Sequence, residues 1–164
     1  MRVLYLLLFV AINAQADEHY ATADKPLVAT EAYARAAHRE PLQSTDADSL
    51  RVWIRSYMTG SVEGYVLSNV GSLACRASSD YANGVVTVGP AQCHPYSKGA
   101  QVLKSLKALP TFIREDWDCP LEDGGEIYIE GVRAGEHFAI RVGNPGFCAD
   151  ADSKAIVALL KKLR

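Results

Sequence analysis

Glu130 and His137 stand in the stretch GGEIYIEGVRAGEHFAIRVGNP, residues 124–145. Apolar and polar residues alternate on both sides of Arg133–Gly135, which predicts a β-hairpin. A turn at Arg133–Ala134 sets the Glu130 carboxylate opposite the His137 imidazole. A carboxylate held there can tune the imidazole as a general base. Hydrolysis would also need a nucleophile, for which Ser68, Ser72 and Tyr128 are the candidates. None of them sits in a G-x-S-x-G frame, and no H-E-x-x-H or paired-carboxylate pattern is present. The same register pairs Glu126 with Arg141 and Tyr128 with Ala139. It gathers Ile127, Ile129, Phe138 and Ile140 on the other face. The polar face therefore reads first as a solvated ladder of pairs, each contributing under about 1 kcal/mol. Catalysis by Glu130 and His137 is the second reading.

In SLRVWIRSYM, residues 49–58, Leu50, Val52 and Ile54 alternate with Arg51, Trp53, Arg55 and Tyr57. Period two predicts a half-buried strand. Its outer face is a cationic and aromatic stripe able to grip an acidic partner. Together with Tyr128 and Arg141 of the hairpin, these four are the expected binding residues. No set of histidines and carboxylates has metal-ligand spacing, so no metal site and no cofactor is expected. His94, beside Cys93, reads as a loop residue, and Trp117 as a core residue near a disulfide.

The elements that must carry these side chains follow from the rest of the pattern. GYVLSNV and SLACRAS read as a second strand with a bulge at Gly71. VVTV is a third, after an Asn83-Gly84 turn. SKGAQVLKSLKALP places Val102, Leu103, Leu106 and Leu109 on one helix face and stops at Pro110. DADSKAIVALLKKLR predicts a final helix capped by Asp150 or Asp152, with Ile156, Val157, Leu159, Leu160 and Leu163 turned inward. The order β-β-β-α-β-β-α predicts an α+β fold: an antiparallel sheet of about five strands with two amphipathic helices on one face. The four cysteines bracket the two predicted hairpins. Cys75 and Cys93 lie symmetrically about Asn83-Gly84, to within one residue, and Cys119 and Cys148 about Arg133-Ala134. The expected disulfides are Cys75–Cys93 and Cys119–Cys148, each contributing roughly 3–4 kcal/mol on the chain-entropy model.

The chain of 164 residues opens with MRVLYLLLFVAINAQADEHY. A basic residue, an apolar run from Val3 to Ile12 and the small-x-small site Ala14-Gln15-Ala16 predict a cleaved signal peptide over residues 1–16. The run falls short of the roughly 18 residues that a membrane helix needs, so no membrane anchor is expected after cleavage. Residues 17–48 are Ala-rich and polar and read as a mobile leader with one marginal helix, TEAYARAAHRE. Residues 49–164 are the single α+β domain. The net charge of −2 becomes one unit more negative when Arg2 is removed, and no basic cluster exists, so nucleic acid is not an expected partner. An even cysteine count in an exported chain fits the periplasm or the extracellular medium. The expected function is binding of a protein or another envelope macromolecule, as an inhibitor or immunity-like factor among others. A small hydrolase is the alternative.

From about Leu50 onward the order of features resembles a loose group of small, mostly uncharacterised bacterial proteins. The resemblance is carried by Asp123, Gly124, Glu130, Gly131, Gly135, His137, Arg141 and Pro145, followed by an amphipathic helix. This chain departs from the group in having Tyr128 where a nearby Trp is expected, and Gly143 before the turn. The resemblance implies a fold and no activity. The intact mass of the exported protein should correspond to a chain beginning at Asp17. A mass retaining Met1 would overturn the signal-peptide reading.

Overall fold

The computed structural model describes residues 19–21, 26–40, 42–43, 46–82, 85–105, 109, 115–120 and 124–164. The strands are β1 (His19–Ala21), β2 (Ser49–Ser56), β3 (Ser61–Ser68), β4 (Gly71–Ala82), β5 (Val85–Val88), β6 (Gln92–Pro95), β7 (Asp116–Asp118), β8 (Gly125–Arg133) and β9 (Glu136–Gly143). The helices are α1 (Pro26–Ala36), α2 (Gly99–Lys104) and α3 (Ala151–Leu163). Eight strands follow one path, β1-β5-β4-β3-β2-β8-β9-β7, and the ninth, β6, pairs with β4 beside β5. All pairings are antiparallel except β7–β9, and the sheet curls into a half-barrel.

This corrects the expected sheet of about five strands with two helices on one face. GYVLSNV and SLACRAS are not one bulged strand. They form β3 and β4, joined by a tight turn in which Ser68 pairs with Gly71. β1, β6 and β7 are three or four residues long, too short to show a period. Asn83 and Gly84 lie outside the described residues, but β4 and β5 pair as that turn requires, from Ala82–Val85 to Ser79–Val88. Leu106 also lies outside them.

Both disulfides form as expected. Cys75 and Cys93 are directly opposed on β4 and β6, with Cα atoms 4.0 Å apart. Cys119 follows β7 and Cys148 precedes α3, so the second bridge joins the parallel edge strand to the final helix.

One sheet face carries Leu50, Val52, Leu67, Ile127, Ile129, Ile140 and Val142. Val102 and Leu103 of α2 and Ile156, Leu159 and Leu163 of α3 pack there. Asp150 caps α3 by accepting from the Ser153 amide, which meets one of the helix's unpaired N–H groups.

The other face was expected to be wet, and it is not. α1 touches β1 and β5 near one end of the path and β2, β8 and β9 further along, so it lies in the hollow of the curl. Glu31 and Arg35 pair along the helix, as their spacing predicts. Tyr33 is buried there, with its ring 5.6 Å from those of Trp53 and Tyr128. The residues read as a mobile leader thus include a helix docked on the sheet. That helix has little hydrophobic periodicity because one tyrosine and several alanines suffice to seat it. Tyr33→Ala is expected to cost about 3–5 kcal/mol by denaturant titration, as large aromatic truncations in cores do. Glu31→Gln, which removes only a helix-surface pair, should cost under about 0.5 kcal/mol. Equal effects from the two would show that α1 does not seal this face.

Candidate functional site

β2 and β8 run antiparallel in a register that sets Arg51 opposite Glu130, Trp53 opposite Tyr128 and Arg55 opposite Glu126. These side chains lie under α1 and form two linked clusters. In the first, Glu126 is the hub. Arg55 donates to its Oε2 at 3.1 Å, Tyr128 to the same oxygen at 3.0 Å, and Arg141 to Oε1 from Nε at 3.0 Å. Arg141 reaches on to Asp116 at 2.6 Å and Asp118 at 3.1 Å on β7, and the Arg55 Nε donates to the Ser79 hydroxyl at 3.0 Å. In the second, Glu130 Oε2 accepts from Arg51 at 3.4 Å and Oε1 lies 3.1 Å from the His137 Nε2. Arg51 also donates to the Glu40 carbonyl. Glu130 is 0% exposed.

Burial alone would raise the Glu126 carboxyl. The Tyr57 hydroxyl, the Arg141 guanidinium and the Tyr128 hydroxyl outweigh it and hold the group below its ordinary range. For Arg141 burial acts the other way, and Asp116, Asp118 and Glu126 more than offset it, so the guanidinium stays charged. Burial lowers Arg51, which Glu130 opposes only in part. Burial raises the Tyr33 and Tyr128 hydroxyls, which keeps them neutral. The Arg51 end is the less completed one: its Nε, the Ser49 hydroxyl and the Trp53 indole N–H are buried without a hydrogen-bond partner among the described residues.

The predicted Glu130–His137 contact exists, reached by a different register. The β8–β9 turn is at Ala134–Gly135, both at positive φ, in the manner of a primed two-residue hairpin turn. Partners therefore shift by two residues: Glu130 faces Ala139 and Val132 faces His137. A two-residue shift keeps every side chain on its face, and long side chains bridge the diagonal. Glu126 likewise faces Gly143 yet binds Arg141.

The proposed nucleophiles do not assemble. The Ser68 hydroxyl donates to the Gly71 carbonyl at 2.8 Å, and β3 lies three strands from β9, roughly 14 Å at about 4.8 Å per strand. Ser72 pairs with Leu67 and so belongs to the opposite face. The Tyr128 hydroxyl is engaged with Glu126.

The expected partner-gripping stripe is corrected too. Arg51, Trp53, Arg55, Tyr128 and Arg141 are all buried, and Tyr57 alone is exposed. Trp53 lies across Gly64, its cross-strand neighbour, where a Cβ would collide with the ring. Met58 is 80% exposed and Phe147 61% exposed, and periodicity singles out neither. Their signal is placement: each is an apolar residue inside a turn-rich stretch, SYMTGS and GNPGFC.

Among the described residues no group of three histidine, cysteine or acidic side chains could hold a metal, and no helix is long and apolar enough to cross a membrane. No protein-family model matches the chain, and no curated protein matches it.

Because the Glu126 carboxyl titrates lower when folded than unfolded, it adds stability above the ordinary glutamate range, about 4.3. That stability is lost as the pH falls through the folded value. Glu126→Gln leaves two buried guanidinium groups undercompensated and is expected to cost about 3–5 kcal/mol at neutral pH. It should also flatten the acid limb of stability measured by urea titration. An unchanged acid limb would mean that another group titrates there.

Proposed function

We propose that this chain is an exported binding protein whose partner is another protein of the periplasm or the extracellular medium. One observation carries the reading: three of the large apolar side chains left exposed, Tyr57, Met58 and Phe147, lie at one end of the sheet. Ser56 pairs with Gly125, the Tyr57 amide donates to the Gly124 carbonyl, and Gly143 pairs with Glu126. The β2–β3 turn and the turn after β9 therefore emerge together. Exposed aromatic and methionine side chains on short loops of a rigid frame are typical anchors of protein interfaces. Two disulfides support export to an oxidising compartment. An inhibitor or an immunity-like factor needs no more than such a surface.

The alternative, a small hydrolase, draws on the fully buried Glu130 bonded to His137. That is the orienting half of a catalytic centre, and none of Ser68, Ser72 and Tyr128 is placed to serve as its nucleophile.

Photo-crosslinking side chains at positions 58 and 147 are expected to capture the same exported protein. One at position 101, exposed on α2, should capture none. Equal capture from all three positions, or from none, overturns the binding reading. Ester hydrolysis abolished by His137→Gln would establish the alternative.

A further inference from the structure

The face opposite the buried ion network carries a second feature. There β3, β4, β6 and the end of α3 surround a cleft of about 370 Å³. Arg76, Lys98 and Arg164 line it together with Glu63, the one acidic side chain among the described lining residues. Glu63 and Arg76 are direct cross-strand partners, the arrangement in which opposite charges normally pair. They do not pair. Glu63 Oε1 accepts from the Tyr65 hydroxyl at 2.6 Å, and among the described residues Arg76 has no hydrogen-bond or ion-pair partner. His94 lies on the neighbouring strand opposite Ala74, exposed and equally without a partner among the described residues.

The remaining walls are braced. Tyr96 donates to the Leu163 carbonyl at 2.8 Å and Lys98 to the Arg164 carbonyl at 2.9 Å, which ties the approach to α2 to the last turn of α3. The ammonium is thereby held at the rim with N–H donors to spare. The Tyr65 and Tyr96 rings meet edge to face, centroids 5.2 Å apart, and with Leu163 give the cleft an apolar side. The disulfide Cys75–Cys93 clamps β4 to β6 at this point, so Arg76 and His94 keep their spacing.

We propose that this cleft binds a small anionic ligand. A phosphate or carboxylate group sits against Arg76 and Lys98, with His94 as a further donor, and an apolar ring or chain of the ligand lies along Tyr96. A guanidinium offers paired N–H groups to either anion, and the ammonium adds a point charge. Withdrawal of Glu63 by Tyr65 keeps the arginine available. This site is separate from the end bearing Met58 and Phe147, and either proposal can fail without the other.

Two-dimensional NMR titration of the intact protein tests it, with phenyl phosphate, phenylacetate and neutral 2-phenylethanol as probes. Saturable shifts are expected at residues 74–76 and 92–98 for one or both anions and not for the alcohol. Response to phenyl phosphate alone assigns phosphate esters, and response to phenylacetate alone assigns carboxylates. Arg76→Gln is expected to weaken binding about tenfold or more, the loss of one charge-assisted contact, and its spectrum will show whether the fold is kept. Lys98→Gln is a second variant at an independent position and should weaken binding likewise. Glu63→Gln removes the acidic side chain among the described lining residues and should tighten binding severalfold, which a structural role for Glu63 would not produce. Absence of saturable shifts, equal shifts with the alcohol, or unchanged affinity in both cation variants overturns the proposal.

Discussion

Glu126 and Glu130 are carboxylates four residues apart on one strand, both buried, and the structure has to answer their charge from within. Isolated buried ions are costly enough that a lost partner typically destabilises by about 3–5 kcal/mol. The β2–β8 register provides the answer, placing Arg51 and Arg55 directly across from them. Alternation of apolar residues alone rules out one-residue slips, since those exchange the faces. It does not rule out a slip of two, which keeps the faces. A two-residue slip here would set Glu130 against Ser49 and Glu126 against Trp53, so neither carboxylate would have an arginine directly opposite it. The ion pairs therefore select among registers that hydrophobic burial cannot tell apart. Arg141 and His137 extend the same network to β9, so β2, β8 and β9 are joined by charge pairs.

This network depends on α1. Without a cover over the hollow, the same side chains would be a solvated ladder, weak and indifferent to register. Tyr33 completes the cover by filling the space between Trp53 and Tyr128. Trp53 can lie flat under it because Gly64 leaves room on β3. Burial and pairing thus reinforce each other: the helix dries the arginines and glutamates, and their compensation makes the dry face tolerable.

How much of this was legible in the sequence depends on what each signal encodes. Period two reports which side chains share a face. Ile127, Ile129, Phe138 and Ile140 were accordingly grouped correctly, as were Glu126, Glu130, His137 and Arg141. Periodicity does not report what covers a face. The cover here is an alanine-rich helix with one tyrosine, a segment whose composition looks too poor to dock. The turn lies one residue later than Arg133–Ala134 because Ala134 and Gly135, both at positive φ, together make it. The cysteine pairing survived that shift, since both bridges need only the hairpin ends to converge. β1, β6 and β7 escaped notice because three or four residues cannot display a period, and they pair only because longer neighbours present open edges.

A network sealed under a helix cannot be where the protein meets others, so function has to be sought where the frame leaves side chains unanswered. Tyr57 links the two regimes. Burial and Glu126 push its hydroxyl's titration up, its ring lies 5.4 Å from the Arg55 guanidinium, and the residue is 38% exposed beside Met58. An aromatic side chain pinned in this way has little rotamer freedom left to lose on association, and ordering costs of that kind are a main drain on interface affinity. The buried charges thereby do more than align strands. They hold an exposed ring in a fixed pose at the end of the sheet where Phe147 also emerges.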